Sequence, residues 1–231
     1  GVCKGMKTKH KMKRRMPRIR TILIAGATLY IVLSTFVATV NHVPTTSMEN
    51  TIKAGSVILI DQITYGACLQ RRVADIALVK NVLFLVPLSV FDYDQRTDWG
   101  YRRMPAIRMP RRGDIIVFTS PADTTMFLCK RIVAMSGDTL EIRHGVVYVN
   151  NRRQRMPATV VPTTEKDTIR PVTFPEHNTW NAHNYGPLAI PERNGSTVYF
   201  VMGDNRAHSI DSRAWGYVGF ENIRGRIALK E

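Results

Sequence analysis

Twenty successive residues, 21–40, carry no charge, and they follow a block in which nine of the first twenty positions are Lys or Arg and none is acidic. As a helix at about 1.5 Å per residue this run measures roughly 30 Å, the depth of a bilayer's hydrocarbon core. A cleaved leader has a shorter apolar region of roughly 7–15 residues, and the Asn41, His42, Val43 and Pro44 that follow make a poor cleavage site. The run is apolar all round, whereas a helix packed on a core keeps one polar face. The pattern predicts a basic cytoplasmic tail over 1–20 and a transmembrane helix over 21–41. Lys and Arg flanks stay on the cytoplasmic side. The expected partner is therefore the lipid bilayer of the cytoplasmic membrane, with the N-terminus inside and residues 42–231 on its outer face.

The formal net charge is +15, and nine of those charges sit in the tail, leaving about +6 on the other 211 residues. A nucleic-acid binder spreads positive charge over its folded surface, so no nucleic-acid partner is expected. Cys3, Cys68 and Cys129 show no CxxC or Cys/His spacing, so no metal site and no cofactor are indicated. Whether Cys68 and Cys129 pair cannot be read from spacing.

Beyond residue 42 the chain reads as short β-branched runs punctuated by Gly and Pro: Ser56-Val57-Ile58-Leu59-Ile60, Asp114-Ile115-Ile116-Val117-Phe118, the stretch 126–135, and Thr197-Val198-Tyr199-Phe200-Val201-Met202. Leu140-Glu141-Ile142-Arg143 and Val146-Val147-Tyr148-Val149 flank His144-Gly145, a hairpin turn. This is a mainly β domain. Two stretches, roughly 66–110 and 151–195, read as insertions. The first holds an apolar run, 76–91, that suits either the outer leaflet and substrate groove or a plain core strand; the second is polar and Pro-rich.

Ser47, in Pro44-Thr45-Thr46-Ser47-Met48-Glu49-Asn50-Thr51, lies just past the uncharged run. A serine hydroxyl needs a base. The histidines offer no triad setting, there is no Gly-x-Ser-x-Gly elbow, and His177, His183 and His208 read as loop residues. A lysine can replace histidine once burial lowers its pKa. Lys130 sits inside the apolar stretch Phe127-Leu128-Cys129-Lys130-Arg131-Ile132-Val133-Ala134. It is either an edge-strand lysine facing water or a buried base. The polar cluster Gly203-Asp204-Asn205-Arg206-Ala207-His208-Ser209-Ile210-Asp211-Ser212-Arg213, directly after a buried strand, is typical of a site scaffold.

Four blocks together resemble the bacterial type I signal peptidases, membrane-anchored Ser/Lys endopeptidases. They are Thr45-x-Ser47-Met48-x-x-Thr51; Arg112-Gly113-Asp114-Ile115-Ile116-Val117-Phe118; Lys130-Arg131-Ile132-Val133-x-x-x-Gly137-Asp138; and Gly203-Asp204-Asn205-Arg206-x-x-Ser209-x-Asp211-Ser212-Arg213. The resemblance implies a signal-peptidase-like β-barrel or sandwich catalytic domain. It implies Ser47 as nucleophile, Lys130 as general base, and the Thr45 hydroxyl with the Ser47 N–H as oxyanion hole. Ser209 matches the serine that orients the lysine amine, and Asp211 and Arg213 match a supporting ion pair. Asp204, Asn205 and Arg131 belong to the same scaffold, and Met48 is placed against substrate or membrane. Asn50 stands where the family usually has Pro. The implied partners are signal peptides of exported preproteins, cut after small residues. The alternatives are a relative that matures one pilin or conjugation substrate, and a non-catalytic membrane-tethered β-domain that binds a partner.

Overall fold

The computed structural model describes residues 16–68, 100, 102–121, 123, 126–163 and 180–230. The tail up to residue 15, the apolar run 76–91 and His177 lie outside them. Helix α1 (Met16–Val32) passes into a π-helical turn (Leu33–Val37) and then into strand β1 (Ala38–His42). At about 1.5 Å per residue α1 measures roughly 25 Å, and among the described residues no helix is long and apolar enough to cross a membrane. The helix expected over 21–41 therefore ends early. Residues 38–42 pair with β2 (Val57–Asp61), from Ala38 opposite Asp61 to His42 opposite Val57. A ladder of backbone hydrogen bonds on a β-branched stretch holds these residues more firmly than a last helical turn with unpaired carbonyls. The apolar side chains of α1 stay uncovered: Ile22, Leu23, Ile24 and Leu29 are all more than half exposed.

The remaining strands are β3 (Ile115–Thr119), β4 (Phe127–Met135), β5 (Thr139–Arg143), β6 (Val146–Val149), β7 (Arg152–Arg153), β8 (Tyr185–Ala189), β9 (Val198–Met202), β10 (Val218–Gly219) and β11 (Ile223–Lys230), with a one-turn helix α2 (Ser212–Trp215) after β9. They form two antiparallel sheets, one in the order β1-β2-β11-β3-β4-β9-β10 and one in the order β7-β6-β5-β8. The protein is mainly β, as its short β-branched runs predict. The expected hairpin turn is present: His144 and Gly145 both have positive φ, 49° and 75°, the combination that a tight two-residue connection requires.

The stretch 151–195 is not simply a surface excursion. It supplies β7, and it supplies β8, which among the described residues is an edge strand paired with β5. An edge position tolerates Pro187, which cannot donate to a ladder.

The uninterrupted apolarity of β9 has a direct cause, since all five of its residues are buried. Val198, Phe200 and Met202 pack with Leu140, Ile142 and Tyr185 toward the small sheet. Tyr199 and Val201 face the other way, onto Ile116, Phe118 and Ile132. A strand with two covered faces loses the alternation of a half-exposed one. β3 is divided in the same manner. Ile116 and Phe118 join that second cluster, while Val117 joins Val43, Met48, Ile52, Ile58 and Ile60 beneath the segment that carries Ser47.

Asp114 closes the entry to β3. It accepts hydrogen bonds from Tyr65 Oη (2.6 Å), Arg108 Nη1 (2.7 Å) and the Arg111 N–H (3.0 Å). Burial alone would raise its pKa, but these donors hold it below the usual 3.8. A depressed carboxylate stabilises the fold above the unfolded-state value and loses that contribution as pH falls through the folded-state value. Asp114→Asn is expected to cost about 1.5–3 kcal/mol at pH 7. In urea titrations the gap to wild type should narrow as pH falls below 3.8.

Candidate active site

Ser47 sits in a single 3-10 turn, Thr46–Met48, between β1 and β2. Two interactions set this turn down on the protein. Met48 is fully buried in the cluster beneath it, and the Ser47 and Thr46 carbonyls accept from the Asn205 N–H (3.0 Å) and Asn205 Nδ2 (3.2 Å). Met48 was expected to face substrate or membrane. Instead its sulfur accepts the Asp204 N–H at 3.4 Å, because the apolar floor under the turn needs a flexible long side chain to fill it. Asn50, two residues on, has φ of 72°. A proline is fixed near −65°, so the departure from the family's usual residue matches a left-handed turn here.

Lys130 lies in β4 opposite Ile116 and is 2% exposed. Its Nζ is 2.5 Å from Ser47 Oγ, across 83 residues of sequence. The alternative of an edge lysine pointing to water is therefore excluded. Burial lowers the Lys130 pKa from the ordinary 10.5; nearby Asp211 and Asp204 oppose that shift and Arg213 adds to it. Thr45 Oγ1 lies 3.3 Å from Ser47 Oγ. A hydroxyl, an amine whose pKa burial lowers and a second hydroxyl thus converge on one point.

The support is built from two buried ion pairs. Asp204 accepts from Arg131 Nε (2.8 Å) and Nη2 (2.6 Å), and from Thr51 Oγ1 (2.6 Å). Arg131 also donates to the Gly113 carbonyl at 2.8 Å. This one carboxylate links the nucleophile segment, β4 and the end of β9. Asp211, fully buried, accepts from Arg213 Nε (2.9 Å), Arg213 Nη2 (2.9 Å) and the Gly203 N–H (3.0 Å). Its pKa would be raised by burial, but Arg213 and the Gly203 N–H hold it below 3.8. Arg213 Nη2 also donates to the Arg206 carbonyl at 2.8 Å, which fixes the loop between β9 and α2.

Ser209 departs from its expected place. Its Oγ is buried without a hydrogen-bond partner and does not reach the Lys130 amine. It lies against Gly203, where a Cβ would meet Ser209 Oγ, Ser209 Cβ and the Ser47 carbonyl. Gly203 is thus required by the close approach of the two segments rather than by a turn. Two further residues of the quoted blocks acquire contacts that sequence reasoning did not assign. Thr51 binds Asp204, and Arg206 is a third buried guanidinium, 2% exposed. Of the loop histidines, His183 Nδ1 contacts the Thr163 carbonyl and His208 Nδ1 contacts Asn205 Oδ1. No disulfide joins Cys68 to Cys129, and burial pushes the Cys129 thiol up to about 12. Among the described residues no cluster of His, Cys, Asp and Glu could hold a metal.

The sequence model of the family described as "Signal peptidase, peptidase S26" matches residues 15–230. The chain is 26% identical over 214 residues to "Probable signal peptidase I-2" of Synechocystis sp., covering 90% of this chain and 69% of that protein. It is 30% identical over 198 residues to "Signal peptidase I" of Rickettsia akari and of Rickettsia prowazekii, covering 78% of this chain and 66% and 67% of theirs. It therefore spans about two thirds of the length of these relatives. A crystal structure of a signal peptidase I from Enterococcus faecalis aligns with 52% of this chain and 98% of that one at 27% identity, with a TM-score of 0.39, too low to bear on the fold. The family match covers nearly the whole described chain, with the quoted blocks lying inside it. This chain belongs to the signal peptidase family of peptidases, S26.

Proposed function

We propose that this chain is a membrane-anchored serine endopeptidase that removes signal peptides from exported preproteins, with Ser47 as nucleophile and Lys130 as general base. The observation that carries this reading is the 2.5 Å approach of a buried lysine amine to a serine hydroxyl in a chain of this family. A neutral Lys130 takes the Ser47 proton as Oγ attacks the scissile carbonyl. The oxyanion is received by the Ser47 N–H and the Thr45 hydroxyl, and the lysine then returns its proton to the leaving amine. The same amine activates the water that hydrolyses the acyl-enzyme. Asp204, Arg131, Asn205, Asp211 and Arg213 act by holding the two reacting side chains in place.

The exposed apolar helix α1 and the uncharged residues after it serve in this reading as the anchor, with the basic tail on the cytoplasmic side and the β-domain outside. A substrate whose apolar segment lies in the same bilayer then meets Ser47 by a local encounter rather than a search through solution. Cleavage after a small residue is the specificity proposed.

Ser47→Ala is expected to abolish processing of a preprotein with an Ala-x-Ala site, by about 10⁴-fold or more; undiminished cleavage by this variant would eliminate the reading. Thr45→Val should lower kcat by about 10²–10³-fold with a smaller effect on KM. Because only unprotonated Lys130 can act as base, kcat/KM should rise with pH along a limb whose midpoint lies below 10.5. The linkage has the same sign in stability. A folded-state lysine pKa below the unfolded one means the unfolded chain binds more protons between the two values, so stability rises with pH across that window. Lys130→Met should therefore raise Tm at pH 7, by an amount that shrinks toward pH 10.5. Charging the exposed face of α1 with Ile24→Asp and Leu29→Asp should shift the full chain from the membrane fraction to the supernatant, while cleavage of a short soluble peptide persists.

A further inference from the structure

A cavity of about 560 Å³ lies behind the segment 204–206, away from the Ser47–Lys130 pair, between the start of β6 and the chain that follows β7. Arg206, Arg153, Arg155 and Gln154 line it, with Met156 and Val147 as apolar wall, and among the described residues no carboxylate lines it. Arg153 and Arg155 are exposed at its rim. Arg206 is 2% exposed, and among the described residues its guanidinium meets two thioethers, Met202 Sδ at 2.7 Å from Nη1 and Met156 Sδ at 3.8 Å from Nη2. Its Nε has no partner among the described residues. The other two buried guanidiniums are each paired, Arg131 with Asp204 and Arg213 with Asp211.

A thioether is a weak acceptor, and an ionised group buried without a counter-ion is costly. Burial pushes Arg206 down to about 10, with Arg213 adding to the effect and the more distant Asp211 and Asp204 opposing it without cancelling it. Both carboxylates act from a distance, and no carboxylate among the described residues touches it. A guanidinium presents a planar fork suited to two oxygens of one oxyanion, and three guanidiniums around one cavity favour a group that carries more than one negative charge.

We propose that this cavity is a binding site for a phosphate group, held by Arg206 at its floor and by Arg153 and Arg155 at its mouth. The group comes free in solution or as the headgroup of an anionic phospholipid; the chemistry recognised is the same. The wall of the cavity is tied to the candidate active site by backbone hydrogen bonds and by the Thr51–Thr159 hydroxyl contact at 2.6 Å. The Val161 N–H donates to the Asp204 carbonyl at 2.9 Å, and the Arg206 N–H donates to the Val161 carbonyl at 3.2 Å.

The test is a titration of the full chain in zwitterionic detergent micelles with inorganic phosphate, at ionic strength held constant by sodium chloride. It is followed by Tm and by the 15N resonance of arginine Nε. The expected result is a saturable rise in Tm accompanied by a shift of the Arg206 signal, with Arg206→Lys weakening the apparent Kd by at least about tenfold. No saturable response in wild type, or an equal Kd in Arg206→Lys, overturns the proposal. Should that variant fail to fold, the surface double variant Arg153→Gln with Arg155→Gln decides the matter. A loss of at least about threefold in affinity supports the site, and an unchanged Kd refutes it. A parallel titration with dihexanoyl phosphatidylglycerol separates the two sources: tighter binding of the lipid assigns the headgroup, tighter binding of inorganic phosphate the free anion.

Discussion

One carboxylate ties the nucleophile segment to two strands that already pair with each other. Asp204 grips Arg131 on β4 through two hydrogen bonds, receives the Thr51 hydroxyl from the segment after Ser47, and stands at the end of β9. A buried ion pair contributes little net stability compared with a well-packed apolar substitute, but it has direction, and direction is what the Ser47–Lys130 contact needs. Once β4 and the nucleophile turn are both fastened to Asp204, the side chains of residues 47 and 130 meet although 83 positions separate them.

The charge of this interior bears on the lysine. Among the described residues, three guanidiniums, Arg131, Arg206 and Arg213, and two carboxylates, Asp204 and Asp211, are buried around the end of β9, which leaves one positive charge in excess among them before Lys130 is counted. A proton on Lys130 would add a second in a region closed to water. Burial is the larger cause of the lowered lysine pKa, with Arg213 reinforcing it and Asp211 and Asp204 restraining it. The lowered lysine pKa is thus a consequence of where β4 places the amine.

The strands whose cores demanded β-branched runs were legible: β2, β3, β4, β5, β6 and β9 lie within a residue or two of the apolar segments that announce them. β1, β8 and β11 were not. β1 is the end of an uncharged run whose apolarity also suits a helix, and only its partner β2 decides between the two. β8 contains Gly186 and Pro187, which read as a turn. β11 is interrupted by Arg224, Gly225 and Arg226, and its register shifts between Ile223 and Gly225. In the site, the order of the blocks pointed to Ser47, Thr45, Lys130 and the Asp211–Arg213 pair, and the fold brings Ser47, Thr45 and Lys130 within contact and pairs Asp211 with Arg213. It misplaced Met48 and Ser209, because whether a side chain at a crowded joint turns inward or toward a neighbour depends on packing. Arg206 escaped notice for a similar reason. A charged residue in a polar loop looks solvated until Met202 and Met156 are seen to enclose it.

The passage from α1 to the nucleophile contains almost no slack. β1 is hydrogen-bonded to β2 along its whole length, and the ladder continues past it through the Val43 N–H to the Ser56 carbonyl and the Gly55 N–H to the Val43 carbonyl. Ser47 follows four residues later. Because side chains on a strand alternate with a period of two, inserting or deleting one residue here would turn Val43 away from its core and carry the hydroxyl off its amine. The distance between the end of the helix and the reacting oxygen is thus metered by paired backbone, like a gauge block, and a chain of this design can change its loops freely but not the length of this stem.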